Sequence, residues 1–383
     1  MSGTYTYYVT DLLSGRIIGD LPLTGVGFTR VLNAPGTFRG NLLTRDPRVR
    51  ALALRRLTEP GRTALYVDRD GVLVWGGSIW TTRYTAEDGM LEVSAADFLS
   101  YFEHRFVLRY PLLPGVPVAE QPPVRFPAEG EEDVDQLSIA ESLINLAQSP
   151  PGGDLGVRVR RSGSAPHTPR DVTYHPFDLK PVLEALSDLS DLSDAVDGFD
   201  FISDVRYARG VPERSVLFGA PLLDQSGAAH LWEYGAGLVD FDWPMDAADA
   251  ASRVFARGAG SGAEQLIEFS AMTTHGPRPV PLLESAVSAL DISDRSLLGA
   301  LAEQRRRNLE RPVTLPELTV RADHPPHLGA YRVGDRARFI IDAPFFADLV
   351  DVTTRIVEYE VSPGDDAEEE LVRLTVTPTE ETP

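Results

Sequence analysis

Cysteine is absent from the 383-residue chain. That excludes disulfide staples, thiolate zinc sites and cysteine nucleophiles together. Lysine is nearly absent too: Lys180 is the single one, so the basic charge is almost all arginine. Acidic residues outnumber basic ones 57 to 36, leaving a net charge of −21. Wrapping nucleic acid depends on clustered cations, so this balance argues against it. No apolar run approaches the roughly 18 residues that span a bilayer. The start, MSGTYTYYVTDLL, has neither the basic opening nor the apolar core of a signal peptide. A soluble chain made in a cytoplasm is expected.

Catalytic signatures are missing as well. The chain has no HExxH, no GxSxG, no Walker loop and no strand-borne GxGxxG. Gly258-Ala259-Gly260-Ser261-Gly262 is read as a flexible loop after a helix, without the lysine of a phosphate cradle. His324 and His327 lie in HPPH, where two prolines impose an extended geometry that does not aim both imidazoles at one point. Carboxylates recur in DLSDLSD (Asp188–Asp194), but a period of three does not match a calcium loop; a solvated helix end is the reading. Arg305-Arg306-Arg307 suit a helix C-terminus. No catalytic, cofactor-binding or metal-ligating residue is named, no cofactor is expected, and the chain is read as a non-enzyme.

What is present is β grammar. The chain is organised around Arg62–Tyr84, RTALYVDRDGVLVWGGSIWTTRY. Two apolar runs flank Asp68-Arg69-Asp70-Gly71, a strong hairpin signal. Gly76-Gly77 marks a bulge or bend, after which Ile79, Trp80 and Tyr84 are expected to start a third strand, with Met90–Ala95 a fourth. Residues 5–45 read as more meander. Asp46-Pro47 opens a short helix, and Ser94 is the expected cap of a helix over Ala95–His104. A barrel of about six to eight strands is expected over residues 1–110.

Composition then changes. Pro111–Pro127 is proline-rich and Glu131–Asp135 acidic, the pattern of a linker or long loop. Helices are expected from Asp135, on the spacing of Ile139, Leu143, Leu146 and Ala147, and after Asp178 as a cap, with strands at Val157–Arg161, Phe199–Tyr207 and Ser215–Phe218, giving an α+β domain over 111–230. Trp232–Trp243 is strand-like, Asp246 caps an alanine-rich helix ending at Gly258, Gln265–Met272 is a strand and Ser293–Leu309 a helix. Strands are expected at Leu318–Arg321, Tyr331–Val333, Arg336–Ile341, Arg355–Val361 and Leu371–Thr377. The fold class is therefore α+β, mainly β, with two antiparallel β-barrels and intervening α+β domains. The second barrel would be split into 231–258 and 311–383 around a helix-containing insertion at 259–310.

These segments carry a resemblance. Gly61–Trp80 (GRTALYVDRDGVLVWGGSIW), preceded by GVGFTRVLNAPGTFRGNL and followed by LSYFEHR, resembles the N-terminal domain of minor tail proteins of long-tailed actinobacterial phages. DWPMDAADAASRVFARGAG, LGAYRVGDRARFII and RIVEYEV fit the same likeness, that of the tail hub (baseplate hub) family. The resemblance implies tube-like barrels and a homotrimer at the distal end of the virion tail. Two barrels in each of three chains would imitate the six-fold tail tube. A distal tail protein or the tube would lie above, and a spike, fibre or tape-measure protein below. DNA would pass through a carboxylate-lined lumen without specific binding, as like charges repel, and no membrane insertion is implied. The alternative is a distal tail or carbohydrate-binding, receptor-binding baseplate component, with Trp75, Trp80, Trp232 and Trp243 as possible stacking groups.

Overall fold

The structure is a computed structural model that describes residues 3–128, 133–163, 167–191, 198–220, 222–225, 227–272, 281–290, 292–309, 316–364 and 369–378. Seven strands come first: β1 (Tyr5–Asp11), β2 (Ile17–Asp20), β3 (Thr24–Val31), β4 (Thr37–Leu43), β5 (Thr63–Arg69), β6 (Val72–Thr85) and β7 (Met90–Asp97). Between β4 and β5 lie two single-turn helices, α1 (Pro47–Arg50) and α2 (Leu54–Leu57). Asp46 caps α1 by accepting the Arg48 N–H at 2.8 Å, and Pro47 occupies the position where a missing N–H is harmless. Asp70 and Gly71 turn β5 into β6 with φ of 53° and 85°, the left-handed pair a two-residue hairpin requires.

The glycine pair does not end a strand. β6 runs unbroken for 14 residues, pairing with β5 as far as Ser78 and with β7 from Gly77 onward. No third strand starts at Ile79, because the absent side chain lets β7 come close: a Cβ on Gly77 would sit 2.2 Å from the Ala96 carbonyl oxygen. β7 likewise continues through Asp97, so the expected helix over Ala95–His104 is a 3-10 helix over Phe98–His104 instead. Its cap is Asp97 rather than Ser94, since Asp97 accepts the Leu99 N–H at 2.9 Å.

The next region holds β8 (Val124–Phe126), α3 (Gln136–Gln148), β9 (Val157–Ser162), β10 (Val172–Tyr174), α4 (Val182–Asp191), β11 (Asp200–Ala208) and β12 (Val211–Gly219). The proline-rich stretch is more than a linker: β8 pairs with β10. Buried Gln121 also fastens the loop, accepting from Leu113 N at 2.7 Å and donating to the Leu113 and Val116 carbonyls. α3 starts where a helix is expected, with Asp135 as its cap. Asp178 does not cap α4; it ends a 3-10 turn, Leu179 takes a left-handed φ of 43°, and the helix begins after Pro181. β9 is partnered, parallel to β12. Residues 192–197, most of the second half of DLSDLSD, lie outside the described residues. The inner faces of α3, α4, β11 and β12 share one hydrophobic cluster with Tyr8, Tyr66, Phe98 and Phe102 of the N-terminal strands. The α+β material and the first β region therefore have a common core.

The chain goes on through β13 (His230–Glu233), β14 (Leu238–Asp242), β15 (Arg253–Arg257), β16 (Ile267–Ala271), β17 (Glu284–Ser288) and α5 (Arg295–Leu309). It ends with β18 (Glu317–Arg321), β19 (Arg336–Ile341), β20 (Val350–Ser362) and β21 (Leu371–Pro378). Two compact units result, Met1–Asp240 with Leu318–Pro383, and Phe241–Glu317. In the smaller unit the expected alanine-rich helix ending at Gly258 is absent. Asp246 makes a local turn by accepting the Ala248 N–H, and Arg253–Arg257 is the strand β15. Its alternation decides this: Val254 and Ala256 are buried while Arg253, Phe255 and Arg257 point away from them. β15 pairs with β16 and β17, not with the strands of the expected second barrel. The GAGSG loop consequently follows a strand, yet it leads into a 3-10 turn and carries no lysine.

Two separate closed barrels are not seen among the described residues. The strands of both chain ends form one 13-stranded sheet, ordered β14-β18-β21-β20-β3-β4-β7-β6-β5-β1-β2, with β13 and β19 branching at β20. The reason is the length of β20. Along one side its first residues pair with β19 (Val350–Arg355) and its later ones with β3 (Glu358–Val361), while β21 takes the other side. Tyr331–Val333 is not a strand but a buried loop against Trp232.

Candidate assembly interface

Side chains reinforce the joint that β20 makes. At the start of β21, Glu370 accepts from Arg69 Nε and Nη2 at 2.7 and 2.8 Å, from Gly3 N at 3.1 Å and from the Tyr5 hydroxyl. Burial alone would raise its pKa, but the bonds from Arg69, Tyr5 and Gly3 outweigh it and hold the carboxyl below its usual range. Arg355 of β20 ion-pairs with Asp200 and donates to the carbonyls of Gly334 and Leu223. Asn33, at a φ of 59°, exchanges hydrogen bonds with Phe201 of β11.

Asp97 is the buried acid of the N-terminal half. Its Oδ2 accepts from Gly36 N at 2.7 Å and its Oδ1 from Leu99 N at 2.9 Å. Desolvation nevertheless lifts its pKa to about 7, against the pull of those bonds and of the Arg30 charge. A raised carboxyl pKa means that the folded chain holds a proton the unfolded chain has released. Asp97 thus favours the fold fully below about pH 4 and loses that contribution as pH rises through about 7, by at most about 1.4 kcal/mol per unit. Asp97→Asn is expected to flatten this limb in urea titrations between these limits.

No group of three or more His, Asp or Glu able to hold a metal occurs among the described residues. His324 turns its Nδ1 onto the Pro325 carbonyl. Arg306 bonds Ser270 and Arg307 pairs with Glu303, so these two of the three arginines are occupied locally. Trp75 and Trp232 are core residues, and Trp80 bonds Ser100 and packs on His104; no tryptophan is among the exposed large apolar residues.

What is open to a neighbour is strand edge and apolar face. β2 ends the path of the large sheet, and a terminal strand offers N–H and C=O groups to a further strand. β2 also presents Ile17 to solvent. In the smaller unit α5 covers one face of the sheet, where Leu298 and Ala302 pack on Ala256. The opposite face carries Phe255 and Phe269, rings 5.9 Å apart, in register with Ala286. Phe269 is 60% exposed, with Arg253 lying over its ring and bonded to Glu284. The core of this unit is small, with Val254, Ala256, Leu298 and Ala302 fully buried among its described residues, so the aromatic face is well suited to being covered in an assembly. Sequence reading found neither Glu370 nor this face; the period-two pattern at Arg253–Arg257 was the available signal.

No family model matches the chain, and no curated protein matches it. Solved structures do. The 43 kDa tail protein of prophage MuSo2 from Shewanella oneidensis is similar with a TM-score of 0.62 at 14% identity, over 98% of each chain. A tail protein from Neisseria meningitidis MC58 gives 0.57 at 14% identity, over 97% of this chain and 96% of that one. Prophage tail protein gp18 from Listeria monocytogenes EGD-e gives 0.52 at 10% identity, over 97% and 94%. At such identities the likeness is one of fold. From end to end, this chain has the fold of phage tail proteins.

Proposed function

We propose that the chain is a structural, non-enzymatic subunit of a phage tail tip, a hub that adapts the six-fold tail tube to a three-fold spike or fibre. The observation that supports it most is the correspondence over 98% of this chain and 98% of the Shewanella tail protein, since a shared module inside a different protein would match only part of each. In this reading three copies form a ring, with a distal tail protein or the tube on one side and a spike, fibre or tape-measure protein on the other, at the tail tip of a virion infecting an actinobacterium. Each copy brings two β regions fused by β20 rather than two closed barrels. The open edge at β2 is where a neighbouring copy would complete the wall. The net charge of −21 suits a lumen through which DNA passes unbound.

Light scattering coupled to size exclusion is expected to give three times the chain mass at micromolar concentration, and negative-stain images a ring with a central hole. A monodisperse monomer that stays monomeric on concentration would overturn the trimer.

A further inference from the structure

Two hairpin tips and the loop before β9 enclose a cleft of about 280 Å³, lined among others by Leu13, Leu155, Arg158, Val211, Glu213 and Arg214. Arg214 is only 4% exposed. Its Nε donates to the Tyr66 hydroxyl at 2.7 Å, Nη1 to the carbonyls of Leu12 and Leu155 at 2.7 and 2.9 Å, and Nη2 to Thr10 Oγ1 at 3.4 Å. Phe98 lies against the guanidinium, its ring centroid 4.6 Å from Cζ. Every one of these partners is neutral. Buried arginines are normally paired with an anion, and this one has none among the described residues. A guanidinium carries five N–H donors; four are engaged here and one on Nη2 is left.

The rest of the cleft does not supply the missing charge. Glu213 is already shared between Arg158 at 3.2 Å and Arg206 at 2.6 Å. The charged residues of the lining are thus two cations, Arg158 and Arg214, and one carboxylate, Glu213, a local positive excess on a strongly acidic chain. Leu13 and Val211 stand exposed in the lining, apolar surface that suits a side-chain stem and its backbone.

We propose that this cleft is a carboxylate-binding site that seats an aspartate or glutamate side chain of a neighbouring protein subunit, its oxygens meeting the free Arg214 N–H and the Arg158 guanidinium. The apolar lining favours a protein-borne acid over a free one. The site is testable on the isolated full-length chain, whatever its place in a virion.

The probes are the blocked tripeptide Ac-Leu-Glu-Ala-NH₂, its glutamine counterpart, and glutarate, each followed by thermal unfolding at matched ionic strength. The glutamate peptide is expected to raise Tm saturably by about 2–4 °C and the glutamine peptide not to. Arg158→Gln, at an exposed position, should weaken the response about tenfold without loss of fold. Val211→Glu, which places a carboxylate at the lining, should raise Tm on its own and abolish the peptide response. Equal shifts from both peptides, or no shift together with no gain in Val211→Glu, would overturn the site. A shift from glutarate alone would overturn its assignment to a protein side chain.

Discussion

Glu370→Ala is expected to lower the free energy of unfolding by about 3–5 kcal/mol, the usual cost of leaving a buried charge without its partner. Its side chain is almost wholly inaccessible and that of Arg69 is 17% exposed. The substitution strands the Arg69 guanidinium, whose other carboxylate, Asp70, is 3.7 Å away and largely in water. Tyr5 and Gly3 lose their acceptor in the same step. Urea denaturation measures the loss. A double-mutant cycle with Arg69→Met separates the pair from the isolated charge, because removing both should cost less than removing Glu370 alone. The sign with pH follows from the lowered pKa: the stabilisation is present above about pH 4.5 and is lost as pH falls through the folded value. A wild type that keeps its full stability in acid, or an alanine variant within about 0.5 kcal/mol of it, would show the clamp to be a surface pair.

Trp75→Ala and Trp232→Ala should each cost about 3–5 kcal/mol by emptying a packed site, and both should shift the same unfolding transition. Trp75 packs on Phe38 with centroids 5.3 Å apart; Trp232 is stacked on Phe339 at 5.5 Å and meets Tyr331 edge-on at 5.1 Å. One lies in the N-terminal strands and the other in the C-terminal strands, but β3 and β20 hydrogen-bond them into one sheet. Independent barrels would melt separately, each variant moving only its own transition in circular dichroism. The phenylalanine replacements sharpen the comparison. Trp75 Nε1 donates to the Thr29 carbonyl at 3.1 Å, whereas the Trp232 indole N–H has no acceptor among the described residues. Trp75→Phe should therefore be the more damaging by about 1 kcal/mol.

Local chemistry was readable in the residues and long-range pairing was not. The Asp70-Gly71 turn, the Asp46-Pro47 start and the helix from Asp135 each depend on residues within a few positions, and all three occur as expected. The stretch from Asp246 to Gly258 misled because alanine content favours a helix, while the strand is fixed by partners in β16 and β17. β17 was missed, and the partner of β20 could not be read from either segment. The same holds for the sites. Glu370 closes an acidic run that reads as solvated, and Arg214 sits in Val-Pro-Glu-Arg-Ser-Val like any strand arginine. Their burial is set by Arg69 and Tyr5 in one case, and by Leu12 and Leu155 in the other.

The pairing of Val31 with Glu358 has a consequence for synthesis. When β3 leaves the ribosome, its eventual neighbour is still roughly three hundred residues from being translated, so this edge waits bare while everything between is made. A nascent chain stalled or cut before Glu358 would hold an unpartnered ribbon beside a nearly finished fold. Such truncations should be sticky and chaperone-dependent, whereas release of the last strands converts them at once into a protein whose first and final segments lock each other in place.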